Sequence, residues 1–157
     1  MDKMPILAVV LQSIPESFAI VSLSLALIDE KAKVRSLILI ATLTALASYF
    51  IRLQQIPFGV HSIITIGCLI FFTWIITKNK IIPLLLGLIP ALVFYGVLEL
   101  ALVPLTLKLA GLSLNQVLEN TWLRIMFPIP LYIICFTVEH LLRKSEWNIL
   151  GDLKHSL

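Results

Sequence analysis

Residues with the chemistry of a reactive or binding site lie close together in the segment 51–68, which reads IRLQQIPFGVHSIITIGC. An imidazole and a thiol can form a base–nucleophile pair when they lie within hydrogen-bond distance of each other. His61 and Cys68 are seven residues apart, which places them on one face of a helix but about 10 Å apart along its axis. They can react together only if the helix bends between them. The other interpretation is an interfacial histidine and a small buried cysteine.

Further ionisable residues interrupt apolar segments elsewhere in the chain. Glu16 lies in the polar run Gln-Ser-Ile-Pro-Glu-Ser, and Glu99 and Arg124 lie in later apolar segments. Ionisable groups inside a membrane are costly and by default indicate a functional site. We expect a ligand-binding pocket lined by Glu16, Arg52, His61, Glu99 and Arg124, with Glu99 pairing with Arg52 or Arg124. Pairs that only hold the helices together would explain the same residues.

The composition indicates an integral membrane protein. Of the 157 residues, 59% are hydrophobic and 13% are charged, and the mean hydropathy is +1.02. A soluble domain of this size needs about a quarter charged residues. The formal charge of +3 does not indicate a nucleic-acid partner, because the basic residues lie in short clusters between apolar runs, next to the lipid bilayer. The sequence contains no phosphate-binding glycine pattern and no metal-binding cysteine pairs, so we expect neither a cofactor nor a metal.

The hydropathy pattern predicts an all-α integral membrane bundle of about five transmembrane helices, with proline kinks and one short interfacial helix. An apolar run of about 20 residues is long enough to cross a bilayer. The predicted spans are 5–28, which we expect to remain as a span and not to be cleaved as a signal peptide, then 36–51, 60–77, 81–105 and 121–142. Pro15, Pro90 and Pro128 are expected to kink three of them. Ser113 and Gln116 form the pattern of a capping box that starts the interfacial helix.

The basic residues predict the orientation of the bundle. Five alternating spans collect Lys31, Lys33, Arg35, Lys78, Lys80, Arg143, Lys144 and Lys154 on one face, and Lys3, Arg52, Lys108 and Arg124 on the other. The face richer in lysine and arginine is usually cytoplasmic. We therefore expect a multi-pass cell-membrane protein with its N-terminus outside. Residues 1–142 form the bundle, and residues 143–157 form a short polar tail in the cytoplasm.

The segment around His61 resembles a motif of the accessory gene regulator B family of membrane cysteine peptidases. Phe58-Gly59-Val60-His61-Ser62 followed by Cys68 is similar to the Gly-Gly-x-His-Ala…Cys motif of that family, with one glycine lost and Arg52 upstream. The resemblance covers fewer than twenty residues. It implies His61 as the base and Cys68 as the nucleophile of a peptidase that processes a signalling propeptide. That family works on the cytoplasmic side, whereas the predicted orientation places His61 outside.

The order of features along the chain resembles small uncharacterised membrane proteins of Gram-positive bacteria. The features are Gln-Ser-Ile-Pro-Glu-Ser in the first span and Ile-Arg before Ile-Pro-Phe-Gly-Val-His. The plan is similar to the membrane sensor half of quorum-sensing histidine kinases, which is a likeness of architecture. It implies a sensor that acts through a separate cytoplasmic kinase or ATPase, because nothing after Arg143 could bind ATP.

The sequence therefore supports three hypotheses. The first is a bacterial membrane sensor, not an enzyme, that binds a small molecule or peptide in an outward-facing polar pocket and relays the event to a cytoplasmic signalling partner. The second is the cysteine peptidase with His61 and Cys68. The third is a small transporter acting as a homo-oligomer, since five spans do not supply the paired inverted repeats of many carriers.

Overall fold

The computed structural model of the chain describes residue 7, residues 9–54, residues 58–145 and residue 149. Its helices are numbered here in chain order, after one π-helical turn at Val9–Ser13. They are α1 (Ile14–Leu27), α2 (Val34–Leu53), α3 (Phe58–Thr77), α4 (Ile81–Ala110), α5 (Leu114–Glu119), α6 (Thr121–Met126) and α7 (Ile129–Ser145). No strand occurs in the described residues. The protein is an all-α bundle, as the sequence predicts.

Five helical segments are long and apolar enough to cross a membrane. They are Val10–Leu27, Val34–Leu53, Gly59–Thr77, Ile81–Ala110 and Thr121–Ser145. The prediction of five spans is confirmed, with shifts of a few residues at their ends. The predicted start of the first span, at residue 5, lies outside the described residues. So do Lys3, Lys154 and most of the polar tail.

Helix α1 is the centre of the bundle. Every residue from Ala19 to Ala26 is buried, and α1 packs against α2, α4 and α7. A helix that is apolar all round suits such a position, because it has no face to offer to water. Helix α3 packs mainly against α2, on the outside of the bundle.

The outer helices expose apolar side chains. Ile63 and Phe71 on α3, and Val93 and Leu100 on α4, are more than half exposed. Exposed apolar faces of this extent suit contact with lipid chains and would be unfavourable in water. The exposed surface thus fits the membrane assignment that composition alone indicated.

Pro15 lies in the first turn of α1, directly after the π-helical turn at Val9–Ser13. Proline is tolerated in a first turn because the missing N–H needs no partner there. The distortion of the first span therefore occurs before Pro15, in the wide turn that contains Gln12.

Helix α4 is longer and less interrupted than the sequence predicts. Pro90 and Pro104 do not interrupt it, and it continues for 30 residues to Ala110, about 45 Å. Both prolines lie at exposed positions. Each proline removes one backbone hydrogen bond of the helix. At an exposed position, however, the proline ring does not have to fit between packed helices, so the helix can continue. The helix ends at Gly111, whose φ of 65° closes a left-handed cap.

The connection to the fifth span agrees closely with the sequence pattern. Ser113 and Gln116 form a capping box at the start of α5. The Asn120 side chain then accepts hydrogen bonds from the backbone N–H groups of Trp122 and Leu123 and caps α6. The fifth span is broken at Phe127 and Pro128, between α6 and α7, which confirms the predicted kink.

The bundle has two ends. The loop end carries the connections 28–33 and 78–80 and the last turn of α7 with Arg143. The cluster end carries the last turn of α2, the first turns of α1 and α3, and the helices α5 and α6.

Candidate functional site

Arg52 and His61 are hydrogen-bonded at the cluster end. Arg52 Nε donates to His61 Nε2 over 3.1 Å, and the hydroxyl of Ser48 lies 3.4 Å from the same nitrogen. Ser48 and Arg52 are four residues apart and so lie on one face of α2. The short connection between α2 and α3 brings His61 back onto that face.

This bond determines the tautomer of the imidazole. Arginine only donates hydrogen bonds, so Nε2 of His61 must be the acceptor and Nδ1 must carry the proton. His61 is only 7% exposed, whereas Arg52 is exposed. The structure therefore joins two of the predicted site residues directly.

Glu16 of α1 interacts electrostatically with two residues of other helices. Glu99 of α4 repels its charged form, and Arg52 of α2 attracts it. Glu16 lies in the first turn of α1 and is half-buried, while Glu99 is exposed on α4. Two carboxyls facing one region repel each other when both are charged, so a cation between them would be favourable.

Two tyrosines complete this group. Tyr95 and Tyr132 are 6% and 7% exposed, and both interact electrostatically with Glu16 and Glu99. The hydroxyl of Tyr132 donates to the backbone carbonyl of Gln12 over 3.0 Å. Tyr95 and Glu99 are four residues apart and therefore share one face of α4.

Gln12 adds another polar atom at this end. Its side-chain oxygen is buried and has no hydrogen-bond partner among the described residues. Burying such an acceptor without a partner costs about 1–3 kcal/mol. The π-helical turn that holds Gln12 therefore has a free-energy cost, and it lies four residues before Glu16 in the chain.

Arg124 lies at the same end but in a different environment. It is 8% exposed on α6, which packs against the π-helical turn at Val9–Ser13. Arg143 and Glu139 form an ion pair over 3.0 Å at the loop end. The expected pairing of Glu99 with Arg52 or Arg124 stays a prediction.

His61 and Cys68 are not brought together. Helix α3 continues without a break from Phe58 to Thr77, so the two residues stay two turns apart, about 10 Å along the axis. His61 already accepts its hydrogen bond from Arg52. Cys68 and Cys135 are both free thiols, and Cys135 is buried. The geometry does not form the nucleophile–base pair that a cysteine peptidase needs.

The concavity at α5 and α6 does not include the predicted site residues. It has a volume of about 600 Å³ and is lined by residues such as Gln116, Glu119 and Trp122. Among the described residues, no three histidines, cysteines or carboxylates form a group that could hold a metal ion.

No protein-family model, curated protein or solved structure matches this chain. Neither resemblance to a family is therefore supported beyond the motifs that suggest it.

Sequence reasoning did not assign Ser48, Tyr95 and Tyr132 to the site. The signal for two of them is the helical spacing of four residues, which joins Ser48 to Arg52 and Tyr95 to Glu99. Tyr132 has no such signal, because its partner Gln12 is 120 residues away in the chain.

Proposed function

We propose that this protein is a multi-pass membrane sensor that binds a ligand at the cluster end and relays the event to a cytoplasmic signalling protein. The observation that carries this proposal is that Glu16, Glu99, Tyr95 and Tyr132, from three helices, interact electrostatically, while Tyr132 is hydrogen-bonded to the carbonyl of Gln12 just before α1. Residues of a binding site are commonly drawn from several elements that a rigid scaffold positions.

The chemistry of the group indicates the kind of ligand. Two neighbouring carboxyls and two phenol groups favour a cationic group, such as the amine of a small molecule or of a peptide. Arg52 and His61, at the end of α2 and the start of α3, offer donors to a carbonyl or carboxylate of the same ligand. The basic residues support a cluster end that faces outward. Eight of them are predicted on the face of the loop end and the tail, against four on the opposite face, and the richer face is usually cytoplasmic.

Two helices offer a route for the relay. Helix α1 begins at the cluster and ends beside the loop 28–33. Helix α7 is hydrogen-bonded to the chain just before and just after α1. Tyr132 donates to the carbonyl of Gln12, and Arg143 donates to the carbonyl of Glu30. A ligand that changes the packing at Glu16 can therefore shift α1 and α7 together between two arrangements.

The relay can be tested by neutralising a carboxyl at the cluster and measuring a distance at the loop end. Spin labels at Lys31→Cys and Lys144→Cys, in a Cys68→Ser, Cys135→Ala background, report that distance by pulsed electron paramagnetic resonance. We expect Glu16→Gln to change the distance distribution. Glu119→Gln, on α5 at the same end, should leave it unchanged. An identical distribution in Glu16→Gln and the parent would contradict the proposal.

Ligand binding has its own test. Thermal stability in detergent can be screened against polyamines and short basic peptides. A compound that stabilises the parent but not Glu99→Gln or Glu16→Gln would support the site. Equal stabilisation of all three proteins would place the binding elsewhere.

A further inference from the structure

A groove opens at the loop end, away from the cluster, where α2 and α7 flank α1. Both helices pack on α1, and the groove is lined by residues of α1, α2, α7 and the loop 28–33. The groove has a volume of about 390 Å³, which lies within the range of small-ligand sites. Its floor is formed by Phe18 and Ser22 of α1.

The inner part of the groove is apolar. Leu37 of α2 and Phe136 of α7 form its walls, and the rings of Phe18 and Phe136 meet edge to face with their centres 6.0 Å apart. Phe18 lies nine residues before Leu27, the last residue of α1, which is about 14 Å along the helix axis. Half the hydrocarbon core of a bilayer is about 15 Å thick, so the length of α1 along the groove is close to the thickness of one leaflet.

The mouth of the groove is polar and carries cations. Lys31 is exposed in the loop, and Arg143 lies opposite it on α7. Glu139 forms an ion pair with Arg143 over 3.0 Å, and Asp29 and Glu30 directly precede Lys31 in the loop, so these carboxylates partly compensate the two cations at the mouth. Lys33 and Lys144 follow close by in the sequence and add to the positive charge of this end.

We infer that this groove binds one anionic phospholipid of the surrounding leaflet. One acyl chain lies along Phe18 and Phe136, and the phosphate lies between Lys31 and Arg143. The length of α1 along the groove matches a lipid chain, and the cationic mouth stands at the level of the headgroups, where basic residues attract anionic lipids. This site is separate from the proposed ligand site and does not depend on it.

Native mass spectrometry of the full chain in detergent tests the inference, with phosphatidylglycerol and phosphatidylcholine of the same chain length as the probes. We expect the parent to retain one phosphatidylglycerol in preference to phosphatidylcholine. Lys31→Gln should weaken the binding of phosphatidylglycerol about fivefold, the effect of removing one cation near a headgroup. Ala32→Phe, which adds a ring to the lining of the groove, should abolish the retained lipid.

Lys78→Gln is the matched control, since Lys78 lies in the other connection at the same end and does not line the groove. It should bind phosphatidylglycerol as the parent does. An equal loss in Lys78→Gln and Lys31→Gln would overturn the inference, because it would show a general attraction to a basic surface. Equal retention of the two lipids by the parent would also overturn it. Should Ala32→Phe fail to fold, the comparison of Lys31→Gln with Lys78→Gln still decides, because both residues are exposed.

Discussion

Gly87 of α4 lies directly against the backbone carbonyl of Ser24 in α1. A Cβ atom built at Gly87 would overlap the Ser24 carbonyl oxygen and would also reach the side chain of Ile28 at 3.0 Å. Ser24 is fully buried, and its hydroxyl donates to the carbonyl of Val21 over 2.7 Å. The two helices therefore meet backbone to backbone, as small residues allow in membrane bundles.

We expect Gly87→Ala to destabilise the bundle by about 1–3 kcal/mol, the usual cost of overpacking a tight contact. Thermal unfolding in detergent would measure the change. Gly96→Ala on the same helix is the matched control, because nothing lies within 4 Å of a Cβ atom at that position. Equal destabilisation by the two substitutions would show that the loss of glycine in α4, and not the contact with Ser24, is responsible.

Tyr132→Phe should destabilise the cluster end by about 0.5–1.5 kcal/mol, because the carbonyl of Gln12 loses its hydrogen-bond donor. Helix α7 would then be held less firmly to the π-helical turn at Val9–Ser13. Hydrogen exchange at residues 9–16 should increase in the variant. Tyr49→Phe on α2 provides the comparison and should leave exchange in this region unchanged.

Nitrogen NMR of the protein labelled at histidine should show His61 as the tautomer with the proton on Nδ1. The reason is that Arg52 Nε donates to Nε2. Arg52→Met removes this donor and should change the Nε2 shift, while the signal of the exposed His140 stays in place. A His61 signal typical of a proton on Nε2 would contradict the geometry of the pair.

The His61→Asn substitution should leave the alkylation rate of Cys68 unchanged in a Cys135→Ala background. The two side chains are two turns apart on the continuous helix α3, too far for the imidazole to take the proton of the thiol. A membrane-permeant maleimide would measure the rate. A large decrease in the alkylation rate would instead support the peptidase hypothesis.

A single cysteine at Gln54 should react with a membrane-impermeant maleimide in intact cells. Gln54 is exposed near Arg52 at the cluster end, which lies outside in the orientation that we propose. Lys33→Cys at the loop end should react only after the membrane is opened. Both variants need the Cys68→Ser, Cys135→Ala background. The reverse pattern of labelling would invert the proposed orientation and place the cluster at the cytoplasm.

The class of the protein and its elements followed from local features of the sequence. Apolar runs of span length predicted the five long helices, and Ser113 with Gln116 predicted the cap of α5. These features depend on residues a few positions apart, so hydropathy and backbone hydrogen bonding decide them without reference to the rest of the chain.

Tertiary packing decided which polar residues meet. The sequence predicted that Glu16, Arg52, His61, Glu99 and Arg124 lie at one end of the bundle, but it left their individual partners open. The observed hydrogen-bond partners are His61 for Arg52 and the Tyr132 hydroxyl for the carbonyl of Gln12. The central position of α1 and its contact with Gly87 could not be predicted from neighbouring residues in the sequence either. The physical reason is that hydropathy sets how deeply a helix lies in the bilayer, whereas rotation about its axis and the choice of neighbours depend on close packing between distant segments.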